Sequence, residues 1–323
     1  MNALLRLAAV LVVAAMLAGC SRTSDVAVQQ SLNALAPAPT AAAASSTPTP
    51  KVKCSDATAS LRPVASLPAP GHMPSGSYME RIRRRGRLVA GVDQNTLRFA
   101  YLRPSTATIE GFEVDLLREI ARAIFGDSKP GRLDLRAVTT AQRFPAVQSG
   151  AVDIVADAAT VTCYRRTLVD FSTVYYQAAL RLLVPASSPA RSLAGLGGKR
   201  VCATAGSTTL QYVANHPSHP IPSPVDQRTD CLVDLQQNMV DAIAADDAIL
   251  LGFLAQDPNT KLIGPRLEEE PYGMAIRKGN PEFVRFVNGV LARMRRDGTW
   301  QRIHRRWLGD LAPAASPPVP HYE

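Results

Sequence analysis

Between residues 88 and 309, short apolar runs that suit β-strands alternate with longer segments of helical period. LVAGVD reads as a strand, and GFEVDLLREIARAIFG as an amphipathic helix with Leu116, Ile120 and Ile124 on one stripe and Leu117 beside them. DLRAVT is the next strand. Thr140 then suits the cap of a short helix in TAQRFPAVQSG that Gly150 ends, and VDIVADA is a strand again. The rhythm repeats in KRVCATA, STTLQYVANH, DCLVDLQQNM, VDAIAAD and DAILLGFLAQD. Strands alternating with helices form parallel sheets, so an α/β architecture is expected, as one large domain or two lobes.

The N-terminus places the chain in the cell. In MNALLRLAAVLVVAAMLAGC, Arg6 supplies a basic start and residues 7–19 an apolar run. That run is shorter than the roughly 20 residues a membrane crossing needs. It ends in Leu17-Ala18-Gly19-Cys20, which looks like a bacterial lipobox. Residues 1–19 are therefore read as a signal peptide, with cleavage before Cys20 and lipidation of its thiol. The mature protein is expected outside the cell membrane, anchored by that lipid. APAPTAAAASSTPTP carries no aromatic residue and no charge, too little apolar surface to offset the entropy of ordering. Residues 20–84 are read as a lipidated, mostly disordered stalk with Cys54 as its anchor, and residues 310–323 as a flexible tail.

The formal net charge is +9. Much of it sits in RFVNGVLARMRRDGTWQRIHRRW, where Phe286, Val290, Met294, Trp300, Ile303 and Trp307 recur at helical spacing. The arginines between them read as a solvated helix face, and export argues against nucleic acid as a partner. Of five cysteines, Cys20 belongs to the lipid, and the other four allow three pairings. Cys202 and Cys231 share one central segment and are paired here, leaving Cys54 with Cys163. No zinc spacing is present, and His216 and His219 lie in a proline-rich loop. No glycine-rich phosphate loop or Ser-His-Asp constellation is found, so neither a metal nor a cofactor is expected.

Several motifs follow one another in order: Gly91-Val92-Asp93, the aromatic pair Phe99 and Tyr101, GFEVDL, VQSGAVD, TVTCYR, DFSTVYY, GKRVCATAGSTT, VDAIAADDAIL and PYGMAIRKG. With these, residues from about 85 to 309 resemble the extracytoplasmic solute-binding proteins of polar amino-acid ABC transporters, most nearly the acidic-amino-acid branch. The resemblance implies a type II two-lobed fold with two hinge strands. Residues 85–178 and 272–309 would form lobe one, and residues 180–270 lobe two. It implies a ligand clamp as well. Thr160 and Arg165 would hold the α-carboxylate, and Asp246 the α-ammonium with the carbonyl of Ala158. Ser207 and Thr208 open a helix whose free N–H groups favour an anion. Arg143, with Thr140 beside it, would reach a distal carboxylate. Arg228 falls at a polar lobe-two contact, and Thr204 where glutamine binders often carry lysine. Phe99 and Tyr101 complete the ligand set. Asp93 stands where some acidic binders carry arginine, and would either orient Arg143 or Arg165 or weaken acidic selectivity. Arg166 is read as structural, and the Cys54–Cys163 bridge as anchoring the stalk beside the clamp.

Glutamate and aspartate therefore rank first as ligands, with asparagine and glutamine behind them. The partner would be the permease of an ABC importer. The alternative is a membrane sensor that reads the loaded form, with the protein a monomer in either case. The fold also carries dehydratases, but no general acid stands out beyond the residues assigned to the zwitterion, so an enzyme is not expected.

Overall fold

The structure, a computed structural model, describes residues 50, 52–309 and 316–323. The signal segment, Cys20 and the first part of the stalk lie outside the described residues.

The chain enters through α1 (Tyr78–Arg85). The Ser77 hydroxyl accepts the Glu80 N–H at its start, and Gly86 closes it in the left-handed region at φ 87°. β1 (Leu88–Val92) is buried along its whole length, as a parallel strand covered on both faces must be. A small antiparallel sheet follows, of β2 (Asn95–Thr96), β3 (Ala100–Arg103) and β4 (Thr108–Glu110). Then come α2 (Phe112–Phe125), β5 (Leu133–Ala137), α3 (Arg143–Ser149), β6 (Ile154–Val155), α4 (Cys163–Leu168) and β7 (Asp170–Phe171). The chain leaves through β8 (Tyr176–Pro185) into β9 (Arg200–Thr204), α5 (Thr208–Ala214), β10 (Ile221–Val225), α6 (Arg228–Gln236), β11 (Ala242–Asp246), α7 (Asp247–Gln256) and β12 (Thr260–Ile263). It returns through β13 (Glu269–Tyr272) and β14 (Ala275–Ile276) to α8 (Pro281–Arg296) and α9 (Thr299–Leu308).

Besides the small β2–β3–β4 sheet, these strands build two larger sheets, one per lobe. The first runs β5-β1-β6-β14-β7, with β1 parallel to β5 and β6 and with β14 antiparallel to its neighbours. The second runs β10-β9-β11-β8-β12. β10 carries Pro222 and Pro224, which cannot donate to a ladder, and it occupies an edge. Two segments cross between the sheets: β7 to β8, and β13 to β14. Near the crossing, the start of β8 pairs with β13 in antiparallel register, Tyr176 opposite Tyr272. Beyond it β8 joins β11 and β12. This ribbon fixes where the lobes meet and which side chains face the gap between them.

Two expectations need correction. The loose stalk does not extend to residue 84. Met73, Met79 and Ile82 are buried in the core of the first lobe, and the Gly71 N–H donates to the Ile124 carbonyl. The polar composition that argues for disorder stops near residue 50, whereas Met73, Met79 and Ile82 supply apolar surface to bury. The C-terminal residues 316–323 are not loose either. Ser60 and the tail exchange backbone hydrogen bonds, Ser60 N–H to His321 O and Glu323 N–H to Ser60 O, both 3.0 Å. Arg166 pairs with Glu323 at 2.9 Å, and His321 contacts Asp56 at 2.9 Å. A proline-rich segment needs only a few satisfied backbone groups to lie along a surface. Disulfides join Cys54 to Cys163 and Cys202 to Cys231, with Cα–Cα distances of 5.6 and 5.5 Å. Among the described residues no helix is long and apolar enough to cross a membrane, and no group of His, Cys, Asp and Glu could hold a metal ion.

Candidate ligand cleft between the lobes

In the first lobe, the chain after β6 turns at Ala158, which sits at φ 43° where a non-glycine residue is strained. The turn is held from both sides. The Ala158 N–H donates to Glu113 Oε1 at 2.7 Å, and Arg143 Nη1 donates to the carbonyls of Asp157 (2.9 Å) and Ala158 (3.3 Å). Thr162 caps α4 by accepting the Arg165 N–H at 3.1 Å. That start aims the Arg165 guanidinium back into the gap. Its Nη1 donates to Thr160 O at 2.8 Å and its Nη2 crosses to Gly206 O of the second lobe at 3.1 Å. The Phe144 ring lies under both guanidiniums, 5.1 Å from Arg143 and 5.4 Å from Arg165.

The second lobe presents the start of α5 and the end of β11. Ser207 caps α5 by accepting the Leu210 N–H at 2.9 Å. Asp246 accepts from the Tyr272 hydroxyl at 2.5 Å. Thr208 donates to Glu270, a residue of the crossing strand β13, and Thr160 donates to the same carboxylate from the first lobe.

The electrostatics follow from burial. Arg143 and Arg165 are both buried, and among the described residues neither has a carboxylate within ion-pair distance. Burial lowers the pKa of each; that of Arg165 falls to about 9, with the Arg143 charge adding to the effect. Arg165 therefore remains charged at neutral pH. Arg143 Nε and Thr140 Oγ1 are buried without a hydrogen-bond partner. Asp246 and Glu270 are raised by burial, and each affects its neighbours: Asp246 pushes Glu270 up further. Glu113, held by Ala158 N–H and the Tyr175 hydroxyl, is pushed up to about 7 by burial and by Asp157.

Thr140, Arg143, Ala158, Thr160, Thr204, Ser207, Thr208, Arg228 and Asp246 line one cavity between the sheets, with Arg165 against it through Thr160. Four expectations change. Asp93 orients neither Arg143 nor Arg165: it accepts from Arg228 Nη1 at 2.5 Å, Thr96 Oγ1 at 2.6 Å and the Asn95 N–H at 2.9 Å. Arg228 reaches the cavity wall, but its two terminal nitrogens are held by Asp93 and by Asp157 (2.6 Å), a buried ion-pair triad across the lobes. Phe99 is a core residue packed edge-on against Phe112 and Tyr176. Tyr101 faces Glu110 across the β3–β4 pair and donates to it at 2.7 Å, so cross-strand register carries its ring away from the cleft.

Sequence reasoning missed Asp157, Glu113 and Glu270. Asp157 is an acid at the end of an apolar strand, a signal of pairing that could have been followed. Glu270 is one of three successive glutamates, 268–270, and only strand register tells which of them faces inward.

Two α/β lobes, joined by two crossing segments and closing over a polar cleft, define a ligand-binding receptor of the periplasmic type. The chain belongs to the bacterial extracellular solute-binding proteins, family 3, whose pattern matches residues 88–310. It is 33% identical over 228 residues to the ABC transporter glutamine-binding protein GlnH of Bacillus subtilis, covering 70% of this chain and 83% of that one. It is 26% identical over 266 residues to the L-glutamate/L-aspartate-binding protein of Pseudomonas aeruginosa, covering 80% and 88%. A solved ancestral arginine-binding protein bound to glutamine superposes with a TM-score of 0.65 at 31% identity, covering 70% of this chain and 99% of that structure.

Proposed function

We propose that the protein is an extracytoplasmic lipoprotein that binds L-glutamate or L-aspartate between its lobes and delivers it to an ABC importer. The carrying observation is the pair of buried guanidiniums, Arg165 and Arg143, whose hydrogen bonds among the described residues go to backbone carbonyls and to no carboxylate. A buried cation without a counter-charge is costly. Two of them in one cleft call for two carboxylates on the ligand. Arg165 with Thr160 would take the α-carboxylate, and Arg143 with Thr140, whose hydroxyl has no partner, the distal one. Asp246 supplies the charge for the α-ammonium. The zwitterion then bridges the lobes, and its preference for the closed arrangement drives closure. Asn and Gln offer Arg143 one oxygen only. Asp93, the acceptor that could have taken their amide NH₂, is already committed to Arg228.

Calorimetric titration with glutamate, aspartate, asparagine, glutamine and arginine tests the reading. Glutamate and aspartate should bind most tightly. Tightest binding of arginine would overturn it, because a third cation cannot share the site with Arg143.

A further inference from the structure

Behind two threonines of the cleft wall stands a further carboxylate. Glu270 is fully buried on β13, one of the two strands that cross between the lobes. Its oxygens take the hydroxyl proton of Thr160 from the first lobe and that of Thr208 from the second, the latter at 2.9 and 3.0 Å. Thr160 is the residue whose carbonyl braces Arg165, so Glu270 and Arg165 meet on the same threonine from opposite ends. A threonine hydroxyl has one proton to give. It cannot serve Glu270 and a ligand carboxylate at the same time. Two carboxylates at one site also repel, and one of them is driven to hold a proton.

We propose that Glu270 is a resident occupant of the α-carboxylate clamp that an incoming amino acid must displace from the threonines, and that it does so by taking up a proton from solvent. The uncharged acid then donates its O–H to the ligand carboxylate in place of the threonine proton it gives up. Glu270 thereby sets the affinity of the clamp and ties it to pH. The groups that face Glu270 fit this role. Burial and Asp246 from β11 raise its pKa to about 8, against the downward pull of Thr160, Thr208 and Arg165 from α4, so proton uptake on binding belongs to the alkaline end of the range. Tyr272 lies on the same strand and is itself bonded to Asp246. The proposal rests on the amino-acid-binding reading above.

Glutamate binding should be measured by calorimetry between about pH 6.5 and 8.5, in two buffers of different ionisation enthalpy, for the wild type and for Glu270→Gln. The wild type should take up close to one proton per ligand at the alkaline end, and its affinity should fall there by up to about tenfold per pH unit. Glu270→Gln should take up none from this source, lose that slope, and bind at least about tenfold more tightly at the alkaline end. The ligand's own ammonium and Glu113, whose shift does not come from Glu270, titrate alike in both proteins and cancel in the difference. Zero proton uptake by the wild type, or a Glu270→Gln protein that keeps the wild-type slope or binds more weakly, overturns the inference. Glu270→Ala serves the same comparison if Glu270→Gln does not fold. A wild type that binds no amino acid overturns the functional reading and this inference with it, whereas binding without proton uptake overturns this inference alone.

Discussion

Three arginines are buried in the cleft, and they live in opposite surroundings. Arg228 is gripped by two carboxylates, Asp93 and Asp157, at 2.5 and 2.6 Å, and this pairing holds its pKa above the ordinary arginine value even against burial. Arg143 and Arg165 hydrogen-bond only to carbonyl oxygens among the described residues, with no carboxylate in ion-pair contact, and burial pushes their pKa values down. The residue type is the same, and so is the depth. What differs is whether the protein completes the counter-charge or leaves it for something else to bring. A buried cation completed by the fold holds the lobes to one another, and a buried cation left incomplete is a site.

That contrast can be broken most sharply at Arg228. Arg228→Met removes the one cation paired with Asp93 and Asp157 among the described residues and leaves the two acids without a counter-charge in ion-pair contact. The closed arrangement should lose about 3–5 kcal/mol, the cost of orphaning a buried charge partner. Small-angle scattering should show a more open particle and the melting temperature should fall. Unchanged scattering and melting would mean that the triad does not hold the lobes.

Arg165→Ala should leave the fold intact and weaken every amino-acid ligand by about 2–5 kcal/mol, since each carries an α-carboxylate. Titration paired with circular dichroism checks this, and near wild-type affinity with an unchanged spectrum would remove Arg165 from the clamp. Arg143→Ala should be selective. Glutamate and aspartate should lose about 2–4 kcal/mol, and asparagine and glutamine less. Equal losses for acids and amides would show that Arg143 braces Ala158 without reading the ligand side chain.

The smallest effect belongs to Arg166, the neighbour of Arg165 in sequence. It points away from the cleft, donates to the Asp56, Ala57 and Ala59 carbonyls and pairs with the half-exposed Glu323. Arg166→Ala should leave ligand affinity unchanged and lower stability by about 1 kcal/mol or less. A loss of affinity comparable to that of Arg165→Ala would mean that the two arginines act together.

Much of this was legible in the residues. The strand–helix rhythm gave the α/β class because periodicity is local. Arg165 was preferred to Arg166 only through the resemblance of TVTCYR to a family motif; the structure buries Arg165 and leaves Arg166 half-buried on the far side of α4. The end of the stalk was misjudged for a related reason. Composition is an average, and a few apolar residues, Met73, Met79 and Ile82, suffice to dock a segment that is otherwise polar.

By itself the sequence determined most of the elements and their order, since these depend on period and side-chain chemistry close along the chain. Only the tertiary structure decided which charges are spent on one another. Asp93 and Arg228 are 135 positions apart in sequence, and Thr160 and Glu270 are 110 apart. No local pattern marks either pair, because they come together only where two crossing strands bring one lobe over the other, and the energy of a buried charge is set by whichever neighbour the fold delivers.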